Sequence, residues 1–213
     1  MTVNVTWAEA WIRECARVIS EHRAELNTLD REIGDGDHGE NMDRGFQAVV
    51  LKLDSLPAGS TPSDLLKLVA TTLISTVGGA SGPLFGTAFL KAAVAVSGVQ
   101  DLDSAALAAL LTSARDGIVL RGKAAVGDKT MIDAWTPAVD AATQAAADND
   151  ASVAALLERA AHAAAAGAVA TEALVARKGR ASYLGERAIG HRDPGAESTT
   201  LLLRAAAETA ARA

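Results

Sequence analysis

The sequence predicts an all-α, single-domain fold, residues 1–213, on three observations. Apolar residues recur at three- and four-residue steps along most of the chain, the period of one buried helix face. No segment alternates apolar and polar residues over a useful length, as a half-buried strand would. The tracts "AAHAAAAGAVA" and "RAAAETAARA" are built from the residue of highest helix propensity, which loses no side-chain entropy when helices pack closely. A chain of 213 residues with no linker-like stretch is of the size that buries one core.

The elements follow in order. Trp7, Trp11, Cys15, Val18, Ile19, Leu26, Leu29 and Ile33 set one face of a long first helix expected to end near Arg31. Cys15, the sole cysteine, falls in step with that face and reads as a buried core thiol. Met42, Phe46, Val49, Val50 and Leu53 define the second helix. "GSTPSD" supplies a capping residue and puts Pro62 in the first turn of the third, which is lined by Leu65, Leu66, Val69, Leu73, Ile74 and Val77. Further helices are expected at 83–97, 104–121, 130–147, 151–177 and 195–212, each preceded by a Gly, Pro, Ser or Asp cluster, for a total of eight.

A net charge of -6 argues against nucleic acid or an acidic membrane surface as the main partner. With no apolar run of ~18 residues and no signal peptide read from the sequence, no membrane segment is expected and the cytoplasm is the expected location.

Most glycines concentrate in four segments: "DREIGDGDHGEN", "TVGGASGPLFG", "RGKAAVGDKTM" and "ARKGRASYLGERAIGHRDPGAES". They join helices one to two, three to four, five to six and seven to eight. In an antiparallel bundle successive connections fall at alternate ends, so all four share one end. That parity gathers them into one candidate site.

In the first segment Asp30 closes a helix, and Asp35 and Asp37, separated by Gly36, can turn their carboxylates toward one point. Mg2+ takes one or two carboxylates together with water and phosphate oxygens. An EF-hand is excluded, because counting from Asp35 puts Glu40 at the loop glycine and Phe46 at the bidentate glutamate. The competing reading is a solvated turn with helix-capping aspartates. The second segment offers the amides of Gly78, Gly79 and Gly82 and the hydroxyl of Ser81 ahead of a helix N-terminus, where a phosphate is favoured; a plain flexible connection is the alternative. No lysine follows these glycines, so this is not a P-loop. "GIVLRGKA" has Walker spacing but carries Ala124 in place of the hydroxyl residue and lies on a helical pattern. The last segment, Lys178 to Glu197, exceeds the usual ~12 to 15 residues of a connection without a task. It is expected to bring Lys178, Arg180, Arg187 and Arg192, with Tyr183 and His191, to the acidic end; a nucleotide lid accounts for both its length and its charge, and a disordered crossover for its length alone. His22 and His162 fall within helices and read as surface or interface residues.

"IGDGDHGENMDRGF", "GGASGPLFG", "RGKAAVGDKTM" and "KGRASYLGERAIGHRDPGA", in this order, resemble the nucleotide-binding L subunit of dihydroxyacetone kinase from about Asp30 to the last helix. The resemblance implies an eight-helix antiparallel up-and-down barrel with the nucleotide, ADP or ATP, at one end and two Mg2+ ions between carboxylates and phosphates. It implies Asp30, Asp35 and Asp37 as metal ligands. His38, Gly39, Glu40 and Asn41 would begin the next helix beside the phosphates, with Ala80 and Ser81 binding them from the glycine loop. Gly122, Met131, Arg180, Asp193, Pro194 and Gly195 would surround base and ribose. Dihydroxyacetone itself would be held on a separate K subunit, on a histidine this chain does not supply.

The resemblance implies either of two phosphate donors. In one branch ADP stays bound and is rephosphorylated by the M subunit of a phosphotransferase system; in the other ATP binds and ADP leaves. A free-standing L chain favours the first, since ATP-using enzymes usually fuse the two domains. Two rivals are a regulatory module that has lost turnover, which would be expected to lose the carboxylates or the glycine loop, and the nucleotide domain of a fatty-acid kinase, which would not be expected to carry "GHRDPGA" or to stand alone. No general base is assigned, and the sequence leaves a homodimer open.

Overall fold

The computed structural model describes residues 2–148 and 152–213. Nine α-helices occur among them: α1 (Val5–Glu21), α2 (Arg23–Ile33), α3 (His38–Leu53), α4 (Pro62–Thr76), α5 (Ser81–Ala95), α6 (Ser104–Gly122), α7 (Ile132–Ala147), α8 (Val153–Ala170) and α9 (Pro194–Ala210). Two 3₁₀ segments, Thr171–Ala173 and Arg180–Ala188, lie between α8 and α9. The described residues contain no strand, only an isolated bridge between Val3 and Leu102.

The expected first helix is two. His22 takes φ -92° and ψ 8°, ending α1 and starting α2. From Ser20 to Glu25 no side chain is buried, so packing does not hold the axis straight there. With α1 and α2 counted as one stave, there are eight. Each stave packs against its neighbour in sequence, and α9 returns to pack on α1 and α2, which closes the ring. The fold is the expected all-α up-and-down barrel of eight staves.

Trp7 and Trp11 stack with ring centroids 5.3 Å apart, Trp11 meets Phe89, and Phe89 meets Phe46 edge-on. The indole N–H of Trp11 donates to the Leu202 carbonyl at 2.9 Å and that of Trp7 to Ala206 at 3.4 Å, tying α1 to α9. Cys15 is fully buried, and burial pushes its thiol pKa up, as a core thiol requires. Small side chains on α5, α7, α8 and α9 let these staves close: Ala92, Ala93, Ala134, Ala142, Ala160, Ala164, Ala205 and Ala206 are all buried.

Three expectations need correction. Ile74 is 46 % exposed, on the outer side of α4. The seventh expected helix, α8, ends at Ala170 instead of 177: the buried Thr171 turns its hydroxyl onto the Ala168 carbonyl and accepts the N–H of Asp193, which draws the chain into the long connection. Its expected start at 151 lies outside the described residues. Residues 153–173 are also long and apolar enough, by length and composition, to cross a membrane. A search for one unbroken apolar run misses this, because Glu158, Arg159 and His162 interrupt it. In this structure that helix packs between α7 and α9.

Candidate functional site

The four glycine-rich connections meet around one cleft of about 410 Å³, as the parity of an antiparallel barrel requires. Among the expected site residues, Asp30, Asp35, Asp37, His38, Asn41, Ala80, Ser81, Gly122, Met131, Arg180, Asp193, Pro194 and Gly195 line it. Gly39 and Glu40 do not. Gly39 faces α2, where a Cβ would lie 2.1 Å from the Arg23 carbonyl oxygen, and the Glu40 amide donates to the Asn27 side chain.

The acidic corner is organised by Asp30. Its Oδ2 accepts the amides of Asp37 at 2.9 Å and His38 at 3.1 Å, which folds residues 34–37 back over the end of α2. Its Oδ1 makes none of these bonds, and a Cβ at Gly34 would sit 2.2 Å from it, so any larger residue there would displace this oxygen. One carboxylate oxygen from each of Asp30, Asp35 and Asp37 lies within 4.8 Å of the others. A set of hard anionic oxygens at that spacing fits a hard divalent cation. Arg180 pairs with Asp35 at 2.5 Å, bringing the long connection onto this corner.

Helix starts at the cleft differ from those elsewhere. The N-cap residues of α3, α5 and α7, namely Asp37, Ala80 and Met131, make no side-chain capping bond. At α3 the amides of His38 and Glu40 are taken by Asp30 and Asn27, and at α7 the Ile132 amide donates to the Thr130 hydroxyl. The α5 start and its positive helix end face the same cleft as the carboxylates, which suits a phosphate chain bridged to metal. The α9 start is capped by Asp193, whose Oδ2 accepts the Ala196 amide at 2.8 Å. Leu84, Phe85, Ile118, Met131 and Ile132 form an apolar wall near Gly122, of the kind that takes a flat base.

His38 is buried between two hydroxyls, with Nε2 3.0 Å from Ser198 Oγ and Nδ1 3.1 Å from Ser81 Oγ. Burial pushes its pKa down to about 4, although Asp37 and Asp35 pull the other way, so the ring is neutral at physiological pH. Burial pushes Asp193 up to about 7; the Ala196 amide opposes this, Asp133 adds to it, Lys129 opposes it and Asp30 adds to it.

The long connection is ordered around its own apolar cluster: Ile33 of α2 meets Ala176, Ala181 and Ala188, with Leu184 against them. Of its expected site residues, Lys178 and Arg180 line the cleft, whereas Arg187, Arg192, Tyr183 and His191 do not. Arg192 is held by Glu172 and Glu197, His191 contacts Glu32 at 2.7 Å, and Tyr183 is 87 % exposed. Sequence reasoning missed Lys129 and Asp133. Asp133 shapes the third connection by accepting the amides of Gly127 at 2.6 Å and Thr130 at 2.8 Å. Lys129 lines the cleft, is 1 % exposed and sits in the left-handed region at φ 60°. The signal available was a lysine flanked by Asp128 and Thr130 in a loop already placed at the site end.

Comparison with known proteins agrees with this geometry. Residues 32–208 match the DAK2 domain family. The ADP-binding subunit DhaL of the PEP-dependent dihydroxyacetone kinase of Escherichia coli is 46% identical over 204 residues, covering 96% of each chain. The corresponding subunit of kinase 1 of Listeria innocua is 42% identical over 210 residues, covering 98% of each. Among solved structures, the dihydroxyacetone kinase of C. freundii in complex with AMP-PNP and Mg2+ aligns with a TM-score of 0.73 at 27% identity, over 98% of this chain and 34% of that one. The chain belongs to the DAK2 domain family, among the L subunits of dihydroxyacetone kinase.

Proposed function

We propose that this chain is the ADP- and Mg2+-binding subunit of a cytoplasmic, phosphotransferase-system-dependent dihydroxyacetone kinase. It passes a phosphoryl group from its bound nucleotide to dihydroxyacetone carried on a separate K subunit, and an M subunit recharges the nucleotide. The observation that carries this reading is the presence, around one cleft, of three clustered carboxylates and the uncapped, glycine-led start of α5. Residues 1–213 act as one nucleotide-binding domain.

In this reading Asp30, Asp35 and Asp37 hold two Mg2+ ions, with Asp30 Oδ1 left open for one of them because Oδ2 is occupied by backbone amides. Bound magnesium supplies charge neutralisation between the phosphate oxygens. The amides at the start of α5 and the Ser81 hydroxyl hold phosphate oxygens from the other side. His38, neutral and fixed by Ser81 and Ser198, orients the Ser81 hydroxyl without adding charge. Asn41 stands behind the glycine loop: a Cβ at Gly78 would lie 2.8 Å from its Oδ1. Gly39 and Glu40 act through backbone placement of the α3 start. Gly122 and Met131 receive the base, and Arg180 with the Asp193-Pro194-Gly195 turn closes over the ribose. Phosphoryl transfer is mainly a problem of alignment and charge, and these residues address both.

The donor assignment is supported by chain organisation. This chain matches separate PEP-dependent subunits along nearly their whole length but spans about a third of the C. freundii enzyme.

Native mass spectrometry of the purified chain should find retained ADP with two Mg2+ ions. Mixed with its K subunit and dihydroxyacetone, the ATP-loaded chain should complete about one turnover and then stop until a phosphorylated M-type protein is added. Sustained turnover with ATP alone would move the chain to the ATP-using branch with the same metal and phosphate residues.

A further inference from the structure

We infer that Lys129 is a positioning residue that clamps the nucleotide lid shut by binding both ends of the long connection with one buried ammonium group. Its Nζ donates to the Thr171 carbonyl at 2.5 Å, where the connection leaves α8, and to the His191 carbonyl, where it returns toward α9. These two carbonyls are twenty residues apart in sequence and are joined through a lysine on a third loop. Neighbouring bonds close the same neck: the Asp193 amide donates to Thr171 Oγ1 at 3.0 Å and the Gly190 amide to the Glu172 carbonyl at 2.8 Å. The Arg177 amide reaches the Asp128 carbonyl at 3.0 Å, so the loop carrying Lys129 also grips the connection from outside the neck.

The acceptors identify the task. A buried cation that serves stability alone is expected to pair with a carboxylate. Lys129 has Asp193, Glu172 and Asp133 in its surroundings, yet its ammonium donates to two backbone carbonyls. Backbone carbonyls move with the backbone. If the connection lifts, both leave together and two charge-assisted hydrogen bonds are lost at once, so the open state is disfavoured by the lysine itself. The left-handed backbone at Lys129 is uncommon for a residue with a side chain, and it persists here where the side chain reaches both ends of the lid. Because Arg180 and the Asp193-Pro194-Gly195 turn belong to the same connection or its base, lid closure and nucleotide retention are coupled through Lys129. This inference rests on the nucleotide-site reading above.

The test uses Lys129→Met, which keeps the volume and removes the charge, and Lys129→Arg, which keeps a cation of different shape. Hydrogen exchange on the nucleotide-free, full-length chain reads the clamp independently of any ligand. Amides in 174–190 should exchange at least tenfold faster in Lys129→Met than in the parent, with exchange in α4, α5 and α6 unchanged and Lys129→Arg in between. Fluorescent ADP with Mg2+ should leave Lys129→Met at least tenfold faster than it leaves the parent. Exchange in 174–190 within twofold of the parent in both variants would overturn the clamp. Failure of the parent to bind ADP would instead count against the nucleotide site. If Lys129→Met does not fold, Lys129→Arg carries the test, and parent-like exchange and release in it alone would overturn the proposal.

Discussion

At the end of the barrel away from the cleft, α1, α4, α6 and α8 begin at Asn4, Thr61, Asp103 and Ser152, and each of these side chains accepts a first-turn amide. Thr61 and Asp64 complete a reciprocal capping box. At the cleft end, the residues that precede α3, α5 and α7 make no such bond, although Asp30 and Asn27 accept amides at the α3 start and Thr130 at the α7 start, and Asp193 caps α9. Since a cap contributes about 0.5–2 kcal/mol, the far end uses each preceding residue for stability, whereas at the cleft end the α5 start, among the described residues, has no side-chain partner. The same fold and the same helix chemistry thus serve two ends, and the difference lies in the residue that precedes each helix.

Four substitutions break or sharpen this contrast. Asp37→Ala removes a cleft-end carboxylate that makes no capping bond, so helical content should be kept while phosphoryl transfer falls by about a thousandfold or more. Circular dichroism together with the coupled kinase assay checks this, and retained activity would remove Asp37 from the metal set. Ala80→Asp places a carboxylate at the positive start of α5. The ligand-free chain should gain a few tenths to about 1 kcal/mol from the helix dipole, while ADP affinity drops about tenfold or more, because the new carboxylate repels phosphate. Calorimetry on both forms separates the two effects, and unchanged affinity would mean the α5 start binds no phosphate.

Thr61→Ala does the reverse at the far end: stability should fall by about 1 kcal/mol with ADP affinity unchanged, as read by urea unfolding and titration. The smallest effect concerns pH in the metal-free chain. Folded Asp193 keeps its proton up to about 7, whereas its ordinary value is 3.8, so the folded state holds the extra proton between those values and stability falls as pH rises through them. His38, held near 4 against an ordinary 6.5, acts with the opposite sign, since there the unfolded state holds the extra proton and stability rises with pH. Asp193→Asn keeps the cap and removes only the falling contribution. Its stability should rise more steeply from pH 4 to 6.5 than that of the parent, and it should end above the parent at pH 8 by about 1 kcal/mol or less after solvent screening. Superimposable pH profiles would contradict this.

Much of this was legible in the sequence because it rests on local periodicity and chain parity. Trp7, Trp11, Cys15, Ile19, Leu26 and Ile33 are buried as their spacing predicts. Thirteen of the fifteen expected site residues line the cleft because an antiparallel barrel leaves four alternate connections at one end. The break at His22 was hidden because spacing from Ile19 to Leu26 stays in register across it. The end of α8 was hidden because Thr171 stops the helix through a partner, Asp193, twenty-two residues away. Lys129 was invisible for the same reason: its acceptors are backbone carbonyls, which carry no signature in sequence. The difference between capped and open helix starts was only half legible, since Asp37 has the chemistry of a cap and makes no capping bond.

The apolar cluster beneath the long connection shares no residue with the main core and consists of one isoleucine and three alanines, with Leu184 against them. So small a cluster buries little area and unfolds as its own unit, at a lower temperature than the barrel. Heating would then release the segment that carries Arg180 while the eight staves stand.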